Sequence, residues 1–187
     1  TRVEIPSTIL TNNIKFDEDF GLLSNLKEII IHLAIPSNVS QIDKDIIKVL
    51  FEKVPIITQI IIPSSITAIG EETFSGCSSL SRIEIPSSTI FIGQAAFSGC
   101  SSLTDIEIPS AINSIESYTF FKCTSLTNIN IPPSVALIKS NAFSGCSLLT
   151  EIKIPSSVKS IGEAAFYECS SLTEIEIPSA VNAIESF

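Results

Sequence analysis

The sequence predicts a solenoid, a stack of short similar repeats that share one continuous hydrophobic core. Its five cysteines are evenly spaced with a 23-residue period, and phenylalanine, leucine and isoleucine-proline positions keep the same period. A fixed period of this length indicates repeats that bury their apolar faces only by stacking on their neighbours. We therefore expect a single domain over residues 1–187, rich in β-structure and poor in helix. The columns are Cys77, Cys100, Cys123, Cys146 and Cys169; Phe74, Phe97, Phe120, Phe143 and Phe166; and Leu80, Leu103, Leu126, Leu149 and Leu172.

The regular repeats begin at an isoleucine-proline pair. IPSSTIFIGQAAFSGCSSLTDIE at 85–107 and IPSSVKSIGEAAFYECSSLTEIE at 154–176 are plainly copies of one unit. Five full repeats occupy residues 62–176, and a truncated repeat occupies 177–187. Because that repeat lacks the polar cap that ends a solenoid, we expect the chain to be a fragment of a longer protein.

Residues 1–61 are predicted to form divergent, longer repeats. The isoleucine-proline pairs that begin at Ile5, Ile35 and Ile62 are spaced more widely than those of the regular repeats, and no cysteine occurs before Cys77. The apolar residues of IDKDIIKVLFEKV at 42–54 lie near the i, i+3, i+4 spacing of an amphipathic helix. A helix there would account for the residues by which this repeat is longer than the regular ones.

A short strand is predicted where each regular repeat meets the Ile-Pro pair of the next. In the last copy, LTEIEIP at 172–178, apolar residues alternate with polar ones, so that Ile175 and Ile177 face inward. Pro178 ends the strand because proline has no N–H to donate to a ladder.

Two further segments complete the repeat. SVKSIG at 157–162 supplies a second apolar pair, Val158 and Ile161, and Gly162 suits a bend with positive φ. Glu116, Lys139 and Glu185 occupy the equivalent position in other copies, so the bend must tolerate side chains. The next segment, EAAFYECSS, predicts one or two turns of α or 3₁₀ helix.

Composition narrows the classes of function. With 44% hydrophobic and 17% charged residues, the chain has ample material for a core. No run approaches the roughly 20 apolar residues of a membrane-spanning helix, so we expect no membrane insertion by this segment. The net charge of −9 opposes binding to phosphate backbones, and we expect no nucleic-acid partner.

The residues offer little chemistry for catalysis, and we expect no enzyme activity, metal or cofactor. A lone histidine, His32, is more often structural, and the repeated SGCSS lacks a positioned base. No D-x-[DN]-x-[DN]-G calcium loop occurs. The cysteines lack metal-ligand spacing, so we interpret them as buried free thiols, with oxidation between neighbours as the alternative.

The pattern LTxIxIPxxVxxIGxxAFxxC resembles the leucine-rich repeats of BspA-like proteins, a treponemal-type subclass with 23-residue units. The resemblance covers 62–187 closely and 1–61 loosely. It implies an arc whose concave face is a parallel β-sheet, with short turns on the other side. It also implies a surface or secreted protein with a role in adhesion, although an intracellular location stays open.

In that sheet, the residues between the inward isoleucines face outward and form the candidate binding surface. Six of the ten are acidic and two are basic. The resemblance thus implies a non-catalytic module that recognises a protein or glycan. The alternatives are a structural spacer, or accessory repeats attached to a catalytic domain elsewhere. The ten residues are Arg82, Asp105, Asn128, Glu151 and Glu174 in one column and Glu84, Glu107, Asn130, Lys153 and Glu176 in the next.

Asn38 begins the chain's one Asn-x-Ser/Thr triplet, Asn38-Val39-Ser40, a candidate glycosylation site. We expect it to lie in an exposed turn.

Overall fold

The computed structural model describes residues 2–5, 29–33, 35, 38–53 and 55–184. The longer turn predicted within residues 6–28, and Glu185, lie outside the described residues. The elements are β1 (Arg2–Ile5), β2 (Ile29–Leu33), β3 (Gln41–Ile42), α1 (Lys44–Lys53), β4 (Ile57–Ile61), β5 (Ala68–Ile69), β6 (Arg82–Glu84), β7 (Phe91–Ile92), β8 (Asp105–Ile106), β9 (Ser114–Ile115), β10 (Asn128–Asn130), β11 (Leu137–Ile138), β12 (Glu151–Lys153), β13 (Ser160–Ile161) and β14 (Ala183–Ile184).

One strand from each turn of the solenoid before the last joins a parallel arrangement that we call the long sheet. Its strands run in the order β1-β2-β4-β6-β8, and an isolated bridge from Glu107 to Asn130 leads on to the β10-β12 pair. Successive strands are one repeat apart, as Ile60 pairs with Ile83 and Ile83 with Ile106. Each repeat thus brings the chain back to the same side of the solenoid, one strand further along and in the same direction. Every pairing is therefore parallel. The predicted repeat solenoid is confirmed.

A second set of parallel strands, each two residues long, forms what we call the short sheet. Its two parts run in the orders β3-β5-β7 and β9-β11-β13-β14. The sequence indicated only an apolar pair here, and both members, Val158 and Ile161, are buried. The side of each repeat that was expected to be turns alone therefore carries a ladder of its own.

The core is a set of parallel columns of identical side chains. Phe74, Phe97, Phe120 and Phe143 are completely buried, and their rings stack with centroids 5.3 to 5.6 Å apart. Phe143 stacks in the same way on Phe166, at 5.5 Å. Because the same residue occurs at the same place in each repeat, each phenylalanine packs against the phenylalanine of the next repeat. The stack therefore continues through the regular repeats.

The five cysteines are free and buried, as predicted, and four of them make a bond that the sequence did not indicate. Each of these thiols donates to the carbonyl of a phenylalanine in the preceding repeat, at 3.1 to 3.2 Å. Neighbouring repeats are thus tied together inside the core. The pairs are Cys100 with Phe74, Cys123 with Phe97, Cys146 with Phe120 and Cys169 with Phe143.

We expect the thiols of the folded protein to react slowly with a maleimide near neutral pH. Burial raises the pKa of Cys169 to about 11 and that of Cys77 to about 12, and the thiolate is the reactive form. Labelling before and after denaturation, followed by mass spectrometry, should show five additions only in the unfolded chain. Rapid labelling of several cysteines in the native protein, or a ladder of disulfides, would contradict the buried arrangement.

The same burial makes stability fall in alkali. An unfolded thiol has a pKa of about 8.5, whereas the pKa values of Cys169 and Cys77 in the folded protein are about 11 and about 12. The folded state therefore binds more protons across this window, and its stability declines as the pH rises through it.

The segment between the short sheet and the cysteine is a chain of turns and not the helical turn that its spacing predicted. Two positions per repeat have positive φ, and most of them carry ordinary side chains, such as Ala164 at 52° and Glu168 at 58°. A right-handed helix cannot contain such residues. Backbone N–H groups at alternate turn positions instead donate to the next repeat, as from Phe120 to Ala142.

Gly162 and Gly93 lie close to the backbone of the preceding repeat and do not have positive φ, so the predicted bend geometry is wrong. A Cβ on Gly162 would lie 2.4 Å from the backbone nitrogen of Ser140, and one on Gly93 would lie 2.6 Å from that of Glu71. The positive-φ glycines are Gly76, Gly99 and Gly145.

The helix predicted over 42–54 is confirmed as α1, Lys44–Lys53, which ends just before the undescribed Val54. Ile47 and Leu50 are buried against the core. Asp43 precedes the helix, and its carboxylate accepts a hydrogen bond from the Asp45 N–H at 3.2 Å, as a capping residue does. No helix among the described residues is long and apolar enough to cross a membrane.

Candidate functional site

Eight of the ten predicted surface residues lie exposed on the side of the long sheet that faces away from the core, and Glu174 and Glu176 are exposed beside its last strand. They alternate with Ile83, Ile106, Ile129 and Ile152, which are at most 5% exposed. Period-two alternation is what a strand with one buried face requires, so the assignment of inward and outward positions is confirmed for these four strands. It is wrong for Ile177, which was expected to face inward and is 40% exposed. What these residues bind stays a prediction.

The register brings the predicted residues together in two columns. Arg82 pairs with Asp105, Asn128 with Glu151, and Asn130 with Lys153. Neighbouring strands lie about 4.8 Å apart, so consecutive members of a column are within reach of one ligand. The arrangement offers a polar surface on a rigid backbone.

Two members of this surface were missed in the sequence. Gln59 pairs with Arg82 and extends the first column, and Ile61 pairs with Glu84 and extends the second. Counting one regular period back from Arg82 and Glu84 would have found them, despite the irregular spacing of the earlier repeats. The backbone register also places His32 in the column of Ile61.

Charge on the surface is compensated at one end only. Glu84 accepts a hydrogen bond from Gln59 Nε2 at 3.1 Å and lies 3.9 Å from the guanidinium of Arg82. Among the described residues, the other five acids of the surface form no salt bridge. Asp105, Glu107, Glu151, Glu174 and Glu176 thus leave a negative field toward the C-terminal end of the surface.

A column of hydroxyl groups borders the surface where each strand begins. The side chains of Ser81, Thr104, Thr127 and Thr150 each donate to the carbonyl one repeat earlier, at 3.0 to 3.5 Å. Similar bonds from Ser134 and Ser157 tie other turns together. Within the repeated SGCSS segment, Ser79 likewise donates to the carbonyl of Ile57 at 2.8 Å. These serines and threonines therefore satisfy backbone acceptors.

The strand predicted over 172–178 does not form. Among the described residues, no backbone hydrogen bond joins 173–177 to β12, although Asn182 donates to Lys159 and β14 pairs with β13 in the short sheet. Ile175 is half-buried and Ile177 is 40% exposed. The last turn is thus hydrogen-bonded to the preceding turn in the short sheet but not in the long sheet. We call the open region between β12 and residues 173–176 the seam.

Adjacent acids lie at the open end of the long sheet. In the seam, Glu174 would lie directly beside Glu151, and like charges on neighbouring strands are destabilising. The only other adjacent acids of the regular repeats, Glu84 and Glu107, are also unpaired, because the β6-β8 ladder ends at Ile83 and Ile106. The seam contains a groove of about 670 Å³, lined by Glu151, Lys153, Glu174 and Glu176.

The short sheet carries an exposed apolar patch that the sequence did not reveal. Ile90 is 61% exposed, Phe91 44% and Leu137 40%. Phe91 and Leu137 point outward from two-residue strands, which are too short to show a periodic signal. We call Ile90 and Phe91 the apolar patch. It is a second possible binding surface, besides the polar surface of the long sheet.

A cavity of about 510 Å³ lies between α1 and the first regular turn, with the Lys44–Glu72 ion pair, 3.1 Å long, in its lining. Cys77 also lines it, but the raised pKa of this thiol keeps it neutral near pH 7. The described residues contain no group of three or more His, Cys, Asp or Glu that could hold a metal ion.

Comparison with protein families identifies the repeat. The family described as BspA type leucine rich repeat region matches residues 44–149 and 91–187, with six copies. Among curated proteins, none matches this sequence.

Solved structures share the fold. A T. pallidum leucine-rich repeat protein is 26% identical, with a TM-score of 0.64 over 98% of this chain and 82% of that protein. A leucine-rich cell surface protein of Faecalibacterium prausnitzii is 30% identical, with a TM-score of 0.53 over 87% of this chain and 48% of that protein. A leucine-rich repeat protein of Eubacterium ventriosum, 16% identical with a TM-score of 0.57 over 86% of this chain and 57% of that protein, supports the fold alone.

Proposed function

Because the chain belongs to the BspA-type leucine-rich repeat family, we propose that it is a non-catalytic binding module that recognises its partner through the polar surface of the long sheet. The observation that carries this proposal is the contrast within each strand. Inward positions are isoleucine in every regular copy, whereas outward positions vary among Arg, Asp, Asn, Glu and Lys. A constant framework with a variable exposed face is what recognition requires.

The partner that this surface fits is a protein or glycan that carries basic groups. Six acids against two bases give the ten residues a balance of −4, and complementary charge steers encounter and fixes register. We place the protein at the cell surface or outside the cell. The F. prausnitzii protein of the same fold is described as a cell surface protein, which supports this location.

A second candidate is docking through the apolar patch at Ile90 and Phe91 in the short sheet. Exposed contiguous apolar side chains mark interaction sites in many proteins. The patch is small, since the equivalent of Phe91 in the next repeat is Ser114. The two surfaces lie on different sheets, so labelling can separate them.

Carboxylate footprinting tests the proposal. A partner is first captured by probing purified matrix proteins, glycans and cell surfaces with the intact chain. Exposed carboxylates are then coupled to glycine ethyl ester with a carbodiimide, with and without the partner, and located by mass spectrometry. We expect protection of Asp105, Glu107 and Glu151 and undiminished labelling of Glu71 and Glu163, which lie exposed in the turns. Equal labelling of all five with partner bound would contradict the proposal.

A further inference from the structure

We propose that the seam between β12 and residues 173–176 accepts an extended peptide segment with basic side chains, which adds as a strand to the free edge of β12. The inference deepens the proposed function and rests on it, since the seam is the last part of the same surface. It also narrows the partner from a protein or glycan to a peptide strand.

The backbone supplies the first reason. In each earlier regular repeat, the residue equivalent to Thr173 donates its N–H to the preceding repeat, as Thr150 does to Thr127 at 3.1 Å. In the described structure, Thr173 makes no such bond to Thr150. An unpaired strand edge is a template for another strand, and a peptide can supply the matching row of N–H and C=O groups. A glycan has no such regular row.

The side chains supply the second reason. The seam is lined by Glu151, Glu174 and Glu176 against the single base Lys153. Lysine or arginine side chains on the inserted strand would neutralise these acids. Alternate side chains of an extended segment project on one face, so every second residue would meet this acidic lining.

The dimensions supply the third reason. The groove of about 670 Å³ lies within the range of roughly 300 to 1,000 Å³ that is usual for ligand sites. The last turn stays attached through β14, which pairs with β13 through Ser160 with Ala183 and Ile161 with Ile184. The opening is therefore bounded on the far side by an intact sheet.

Two capped hexapeptides test the inference by isothermal titration at low salt. Both have the sequence Lys-Val repeated three times, but one is N-methylated at every second residue, which removes backbone donors and keeps the charge. We expect the unmethylated peptide to bind at least about ten-fold more tightly, because two or more backbone hydrogen bonds are lost on methylation. Hydrogen exchange should also slow at 151–154 and 173–176.

A matched pair of variants locates the site. Glu151→Gln should weaken the unmethylated peptide about three- to ten-fold, because it removes a charged acceptor inside the seam. Glu163→Gln removes an exposed acid in the turns, away from the seam and from the polar surface, and should change the affinity less than two-fold. Hydrogen exchange of each free variant verifies that the fold is retained.

Three results would overturn the inference. These are equal affinity for the two peptides, equal effects of the two variants, and failure of the unmethylated peptide to bind. None of them contradicts the proposed function, because a partner can still protect Asp105 and Glu107 in the footprint. Loss of that protection is the separate result that would contradict the proposed function itself.

Discussion

Phe120→Ala is expected to lower the free energy of unfolding by about 3–5 kcal/mol. The side chain is completely buried, and its ring stacks on Phe97 at 5.6 Å and on Phe143 at 5.4 Å. Truncation removes the transfer free energy of the ring and leaves a cavity between two repeats that cannot collapse independently. Denaturant unfolding followed by circular dichroism measures the loss.

The neighbouring Phe121 provides a matched control. It is only half-buried and makes surface contacts, an edge-on contact with Tyr118 at 5.5 Å and the Lys122 ammonium 5.2 Å from its ring centroid. Phe121→Ala should therefore cost about 1 kcal/mol. A loss for Phe120→Ala that is no greater than the loss for Phe121→Ala would show that the register of the core is wrong.

Much of the fold could be predicted because the sequence repeats. Each of Phe120, Cys123 and Leu126 belongs to a column with 23-residue spacing, and a column of identical apolar residues indicates stacking at an interior position. The same period assigned the outward positions such as Glu107 and Asn130. Because of the repetition, buried and exposed positions could be assigned without knowledge of the backbone path.

Features that depend on the backbone of the neighbouring turn were not predictable. The short sheet has strands of two residues, so Phe91 and Leu137 gave no periodic signal of exposure. Lys122 and Glu168 have positive φ, which neither residue type indicates. At Lys122 this conformation accompanies a hydrogen bond from its N–H to Ser144 in the next repeat. The role of Gly162 as a site of close contact has the same origin.

The seam shows how the candidate site departs from the sequence pattern. LTEIEIP at 172–178 has the same alternation as the strands before it, yet it does not pair with β12. A paired strand here would set Glu174 beside Glu151, and a pattern within one strand does not contain this contact between repeats. A comparison between successive repeats, position by position, reveals the adjacent acids.

The second large effect is expected on binding, in the triple variant Glu107→Lys, Glu151→Lys and Glu174→Lys. All three acids are exposed, Glu107 and Glu151 on the long sheet and Glu174 beside its last strand, and they lack salt bridges in the described structure. Reversal replaces attraction for a basic partner by repulsion, so affinity should fall about ten-fold or more at low salt, with a weaker salt dependence. Exposed substitutions shift stability by only about 0.5 kcal/mol each, so the fold should be retained.

The control for this variant carries the same change of charge elsewhere. Glu71, Glu163 and Glu168 are exposed in the turns away from the long sheet, and reversing all three to lysine alters the net charge equally. Any effect of overall charge on encounter is therefore common to both variants. The difference between them reports the position of the binding surface.

The direct measurement is the dissociation constant of the captured partner for the two triple variants and the unaltered chain, determined at low and at physiological salt. The account predicts that the long-sheet variant loses about ten-fold or more in affinity at low salt while the turn variant stays within about two-fold of the unaltered chain. Equal affinity of the long-sheet variant and the unaltered chain, together with loss in the turn variant, would contradict it and move the binding site to the turns.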